Sequence, residues 1–324
     1  MTIEGLRISA ATEHGRVDVV DDVHLTLRPG RITGLAGESG SGKTVTGLAV
    51  LRLLAEPTLR VESGRILLGD LDLARLPRGE LRALRGRRVS MVFQEPMTSL
   101  DPAFTVGTLI GEVLRRHLGM DRRAARERAV ELLDRVGIPE PEKRVDSFPF
   151  QLSGGMQQRV LIAMAVACGP DVLIADEPTT ALDVTVQAQI LRLLRSLTDD
   201  GMAVLLVTHD LGVLAEHCDD LVVMYAGQVV ETGPVDDVLA APAHPYTAGL
   251  LAAVPSTARR VERLATIPGT VPPPHLLPAG CRFVARCPHA APVCEEPVTL
   301  EDAGGGRSRR CARAAELDLE GVGR

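Results

Sequence analysis

The chain has 324 residues, 45% hydrophobic and 24% charged, enough apolar material for the core of one large domain or two smaller ones. A net charge of −6 leaves no general basic field, and aromatic residues at 2%, with no Trp, leave few platforms for stacking bases, so nucleic acid is disfavoured as the main partner. No charged-then-apolar leader opens the chain and the longest apolar runs, such as Val160 to Cys168, stop short of a membrane span, which predicts a cytoplasmic protein.

In chain order, Leu6 to Leu27 alternates polar and apolar residues about a turn at Gly15, which predicts a small antiparallel layer. Arg31 to Ala36 (RITGLA) reads as a buried strand and Val45 to Leu54 as an apolar helix, with the loop GESGSGKT, Gly37 to Thr44, between them. A second strand is expected at Val89 to Phe93, and Gln94 follows it. The long stretch from about Glu95 to Gly155 reads as a helical insertion: Asp121 is an N-cap, Arg122 to Val136 a charged amphipathic helix and Gly137 its stop. Further strands are expected at Val172 to Ala175, Ala203 to Val207 and Leu221 to Tyr225. Strands alternating with helices predict a largely parallel sheet covered on both faces. Beyond Pro242 the character changes, and Pro255 to Gly280, with three prolines at 272 to 274, reads as an extended linker.

The loop carries the clearest chemistry. The chain has only two lysines, Lys43 and Lys143, among 36 basic residues, and one of them stands inside the glycine-rich loop. A compact ammonium can reach between phosphate oxygens where a planar guanidinium fits poorly. Gly37, Glu38, Ser39, Gly40, Ser41, Gly42, Lys43 and Thr44 therefore read as a phosphate cradle at a helix N-terminus, with the Thr44 hydroxyl directed to Mg²⁺. Asp176, closing the strand VLIAD, suits Mg²⁺ held through its water shell, and Glu177 next to it suits a general base acting on water. Gln94 and His209 each follow a strand, at the sheet edge where a γ-phosphate would sit. Seen alone, His209 reads as a core histidine and Gln94 as a loop amide. A second anion cradle is expected at LSGGMQQR, where Ser153, Gly154 and Gly155 precede a helix. It lies far along the chain from the first, so the two need not serve the same nucleotide.

GESGSGKT, Gln94, LSGGMQQR, VLIADEP, Ala181-Leu182-Asp183 and Thr208-His209-Asp210, in that order, resemble the ATPase subunit of an ATP-binding cassette transporter over about residues 1 to 240. His244-Pro245-Tyr246-Thr247, the IPG turn at Ile267 to Gly269 and the Cys-rich segment are similar to the C-terminal extension of oligopeptide and dipeptide permease ATPases. The resemblance implies an α/β P-loop NTPase fold. A parallel-sheet core, an N-terminal antiparallel layer and an inserted helical subdomain (about 95 to 155) would make up residues 1 to 240, followed by an extension from 241 to 324.

The same resemblance implies that Thr44, Gln94 and Asp176 hold Mg²⁺ and that Glu177, His209 and Gln94 are catalytic. Ser153, Gly154, Gly155 and Gln157 would face the ATP of a second, homologous ATPase subunit arranged head to tail. The remaining partners it implies are two membrane permease subunits, met by the insertion near Glu95 to Pro102, and an extracytoplasmic solute-binding protein, with the chain on the cytoplasmic face of the membrane. Relatives with this extension import nickel, glutathione or oligosaccharides as well as peptides, and a cassette acting on DNA or ribosomes is the rival from another class. Two departures stand out: Met156 replaces the usual Gln, and Ala10 occupies the place of the adenine-stacking aromatic, leaving His14 or Arg16 as substitutes.

Cys281, Cys287, Cys294 and Cys311 are spaced x5, x6 and x16, unlike the paired C-x₂₋₄-C ligands usual for structural zinc. Varied spacing, flanking arginines and the resemblance together predict a [4Fe-4S] cluster, with zinc and free thiols as the alternatives. Cys168 and Cys218, in apolar helical segments, read as buried thiols.

Overall fold

The computed structural model describes residues 1–93, 99–180, 182–254 and 266–321. They form two compact units. One comprises Met1–Thr26, Thr33–Arg75 and Val207–Arg324, and the other Leu27–Ile32 and Leu76–Leu206.

In the first unit, Thr2–Thr12 pairs antiparallel with Gly15–Thr26 on one side and Leu59–Leu68 on the other. Gly15, at φ 95°, makes the expected turn. Ile3, Leu6, Ile8, Val20, Val23, Leu25 and Ile66 are buried, so the alternation read in the sequence is the inside–outside alternation of this layer. The strand Ile32–Ala36, buried at every position, runs parallel to Asp220–Tyr225, with Thr33 opposite Asp220 and Ala36 opposite Val223. Asp220–Tyr225 turns back antiparallel into Gln228–Pro234. Two short strands from the end of the chain, Arg307–Arg309 and Glu301–Gly304, extend that edge.

The helix Lys43–Val50 starts two residues before the expected position and ends four residues sooner. Its end is a Schellman motif: Arg52 N–H bonds to the Ala49 carbonyl and Leu53 N–H to the Leu48 carbonyl, with Arg52 at φ 49° where glycine is usual.

In the second unit, Val89–Val92 runs parallel to Val172–Asp176, and Ala203–Val207 lies on the far side of the latter. The helices Val106–Leu118, Arg122–Arg135 and Gly154–Val166 pack against one another. Leu109, Ile110, Leu114, Ala129, Leu132 and Leu133 are buried among them. Asp121 caps its helix as expected, its carboxylate accepting from Ala124 N–H at 2.9 Å. Gly137, at φ 74°, closes the same helix in a second Schellman motif, with Ile138 N–H bonded to the Leu133 carbonyl. Among the described residues no helix is long and apolar enough to cross a membrane.

Candidate nucleotide site

In the first unit the loop between Ile32–Ala36 and Lys43–Val50 is built around backbone conformations that side chains resist. Gly37 (φ 148°) leaves no room for a Cβ, which would fall 2.2 Å from the Met224 carbonyl oxygen. Gly42 (φ 95°) is the helix N-cap and brings no side chain to the cap. A glycine N-cap ahead of a lysine at the first helical position is the arrangement that receives an anion. Lys43, 7% exposed, curls over the loop, its Nζ donating to the carbonyls of Gly37 at 2.7 Å and Glu38 at 2.9 Å. Ser41 is fully buried beneath it, while Thr44, Ser39 and Gly40 are exposed. One fixed cation thus sits within a ring of peptide dipoles. His209, in the same unit, is exposed just beyond the end of Ala203–Val207.

In the second unit Asp176 ends a strand buried at every position, itself 3% exposed. Glu177 follows at φ 45°, a left-handed conformation that non-glycine residues adopt sparingly. Its Oε2 accepts from the Thr180 hydroxyl at 2.9 Å, which fixes the carboxylate at the strand's end. This strained corner carries no signal in the sequence. Ser153 caps Gly154–Val166, accepting from Met156 N–H at 3.4 Å, and Gly154 is exposed beside it. A Cβ on Gly155 would lie 2.5 Å from Val186 Cγ1, so this glycine is required by packing. Gln157 is turned inward: 8% exposed, its amide donates to the carbonyls of Pro149 and Leu152 and braces the turn before the helix. Gln94 and Ala181 lie outside the described residues.

Ala10 lies in the antiparallel layer opposite Val17 and Leu59. Of its two expected substitutes, Arg16 is engaged with Ser9 Oγ at 2.9 Å and the Pro57 carbonyl at 3.3 Å. His14 sits with its ring centroid 4.1 Å from that of His275.

The expected [4Fe-4S] cluster is corrected. Among the described residues no group of three or more His, Cys, Asp or Glu side chains is placed to hold a metal ion. Cys281, Cys287, Cys294 and Cys311 do line one small cavity, together with His244 and His289, but as free thiols. Burial pushes the Cys281 thiol up to about 11 and raises Cys287 and Cys311 as well. A cluster is held by thiolates, and burial favours the neutral thiol here. The four cysteines thus share a cavity without being placed as ligands.

The sequence also gave no sign that the tail reaches the phosphate loop. Within the first unit Tyr246 and Arg286 both contact Glu38, its second residue.

This geometry accords with what the chain resembles. An ABC transporter family profile matches residues 20–180, and one for the oligopeptide/dipeptide transporter C-terminal region matches residues 230–294. A protein of Brucella abortus (strain 2308), named for peptide import ATP binding, is 49% identical over 312 residues, covering 96% of this chain and 94% of its own length. A second from the same strain is 49% identical over 330 residues, covering 98% of each. Among solved structures, a dimeric bacterial ABC transporter cassette shares 28% identity at a TM-score of 0.64, covering 72% of this chain and 98% of its own. The cbiO1 subunit from Clostridium perfringens, part of an ABC transporter complex, shares 27% at 0.62, covering 73% of this chain and 89% of its own. The chain belongs to the ABC transporter family as an ATP-hydrolysing cassette, of the kind that carries the oligopeptide/dipeptide transporter C-terminal region.

Proposed function

We propose that this chain hydrolyses ATP to drive import of dipeptides or oligopeptides through a membrane permease on whose cytoplasmic face it sits. The observation that carries the reading is the joining, in one chain, of the lysine-bearing phosphate loop Gly37 to Thr44 to the C-terminal region matched at residues 230–294. In this reading the loop amides and Lys43 bind the β- and γ-phosphates, and Glu177 accepts a proton from the attacking water. His209 contacts the γ-phosphate. Thr44 and Asp176 offer hard oxygen donors, a hydroxyl at a helix start and a buried strand-end carboxylate, that suit Mg²⁺. With Gln94 they would hold the ion, which supplies charge neutralisation on the phosphates. Ser153, Gly154 and Gly155 face the nucleotide of a second, homologous cassette, Gln157 bracing the turn that presents them. Two permease subunits and an external binding protein complete the importer.

The test is reconstitution of the chain with its partner subunits in proteoliposomes. ATP-dependent uptake of labelled di- and oligopeptides is expected. Uptake of nickel, glutathione or an oligosaccharide with no peptide uptake would move the reading to another solute. Co-purification of nucleic acid instead of membrane subunits would overturn the importer.

A further inference from the structure

We propose that Arg286, in the C-terminal region, is a positioning residue for ATP binding: it neutralises and fixes Glu38, the carboxylate carried by the phosphate loop. The proposal rests on the reading of Gly37 to Thr44 as the phosphate cradle.

Glu38 is a liability in such a loop, because an unpaired carboxylate beside a triphosphate repels it. Arg286 answers that charge with a two-pronged ion pair, Nη1 to Oε2 at 2.9 Å and Nη2 to Oε1 at 3.1 Å. The guanidinium side chain is only 6% exposed and the carboxylate 29%, so water screens the pair weakly. Arg286 is itself held in place. Its Nε donates to the Pro268 carbonyl at 2.9 Å and its Nη2 to the Gly269 carbonyl at 3.3 Å. Its guanidinium lies 5.7 Å from the Tyr225 ring centroid and 5.9 Å from that of Phe283.

A second contact fixes the same residue from the backbone side. Glu38 N–H donates to the Tyr246 hydroxyl at 2.9 Å. Tyr246 is fully buried against Tyr225 and Phe283, with ring centroids 4.7 and 5.3 Å away. Both tyrosines of the chain, and one of its five phenylalanines, are therefore committed to this cluster. Burial raises the Tyr246 phenol, so its hydroxyl stays protonated. Since Lys43 Nζ bonds to the Glu38 carbonyl, Glu38 is held at three points, two of them by residues more than 200 positions along the chain.

Full-length variants Arg286→Gln, Arg286→Lys, Glu38→Gln and the double Glu38→Gln/Arg286→Gln are compared by Mg·ATP affinity, and by KM and kcat in the assembled complex. Arg286→Gln is expected to weaken ATP binding and raise KM about tenfold, with kcat changed less than about threefold. Arg286→Lys, which keeps the charge and loses the fork, should fall between. Because the harm comes from the exposed carboxylate, the double variant should return to within about threefold of the parent. Should Arg286→Gln fail to fold, Glu38→Gln alone must bind ATP at least as tightly as the parent. Parent-like affinity in folded Arg286→Gln, a double variant no better than Arg286→Gln, or weaker binding by Glu38→Gln would each overturn the brace. Unchanged ATP affinity in Lys43→Ala would instead remove the cradle, and the brace with it.

Discussion

Two glycine-rich turns, each opening a helix, look alike in the sequence and are built differently. Before Lys43–Val50 the N-cap is Gly42 at φ 95° with no capping side chain, and a cation stands at the first helical position. Before Gly154–Val166 the N-cap is Ser153 at φ −65°, its hydroxyl accepting from its own helix, and the turn carries no cation. The first supplies its own charge at the helix start, so it can hold an anion by itself. The second carries no charge of its own and its Ser153 hydroxyl already accepts from Met156 N–H, so it can add contacts to an anion held elsewhere but is a poor primary site.

The largest effect is expected at Glu177. Glu177→Gln should keep ATP binding and slow turnover by about 10²- to 10⁴-fold, the range for a positioned general base, as measured by steady-state hydrolysis in the assembled complex. Lys43→Ala strikes the primary turn: losing a charge-assisted contact should cost ATP affinity about 10- to 100-fold, read by equilibrium binding. Gly155→Ala strikes the second turn through packing. With Val186 Cγ1 2.5 Å from the added carbon, unfolding stability should fall by about 1–3 kcal/mol, and Val186→Ala in the same chain should recover part of it. Ser153→Ala is the mildest, removing an N-cap worth about 1 kcal/mol in thermal unfolding. It should also lower turnover of the paired cassettes while Lys43 keeps the first turn's affinity. Equal losses of ATP affinity from Lys43→Ala and Ser153→Ala would erase the distinction.

What was legible follows the range of the forces involved. Buried strands declare themselves by apolar runs: Ala203–Val207 has the bounds expected, and Val172–Asp176 ends on Asp176 as VLIAD was read. Helix ends depended on whether the turn used its usual residue. Gly137 announced its Schellman motif, but the same motif at Arg52 did not, and the helix was expected to run on to Leu54. The edge strands Glu301–Gly304 and Arg307–Arg309 have no apolar alternation; they pair because Gln228–Pro234 offers an open edge.

At the site, residue types were readable where the backbone demands them, as at Gly37 and Gly42. The φ of Glu177 and the inward turn of Gln157 are set by tertiary structure and were not. The Arg286–Glu38 pair spans 248 positions, beyond any local pattern. The cysteines show the reverse failure: varied spacing and flanking arginines pointed to a cluster, but among the described residues no group of three or more ligating side chains is placed to hold a metal ion.

If this cassette drives peptide import, its ATP hydrolysis is coupled to the delivery of peptide. The most direct measurement is Mg·ATP hydrolysis by the full chain assembled with its partner cassette and permease subunits, with and without peptide-loaded binding protein. Hydrolysis should rise when the loaded binding protein is added and disappear with Glu177→Gln. Hydrolysis that neither the loaded binding protein nor Glu177→Gln alters would contradict it.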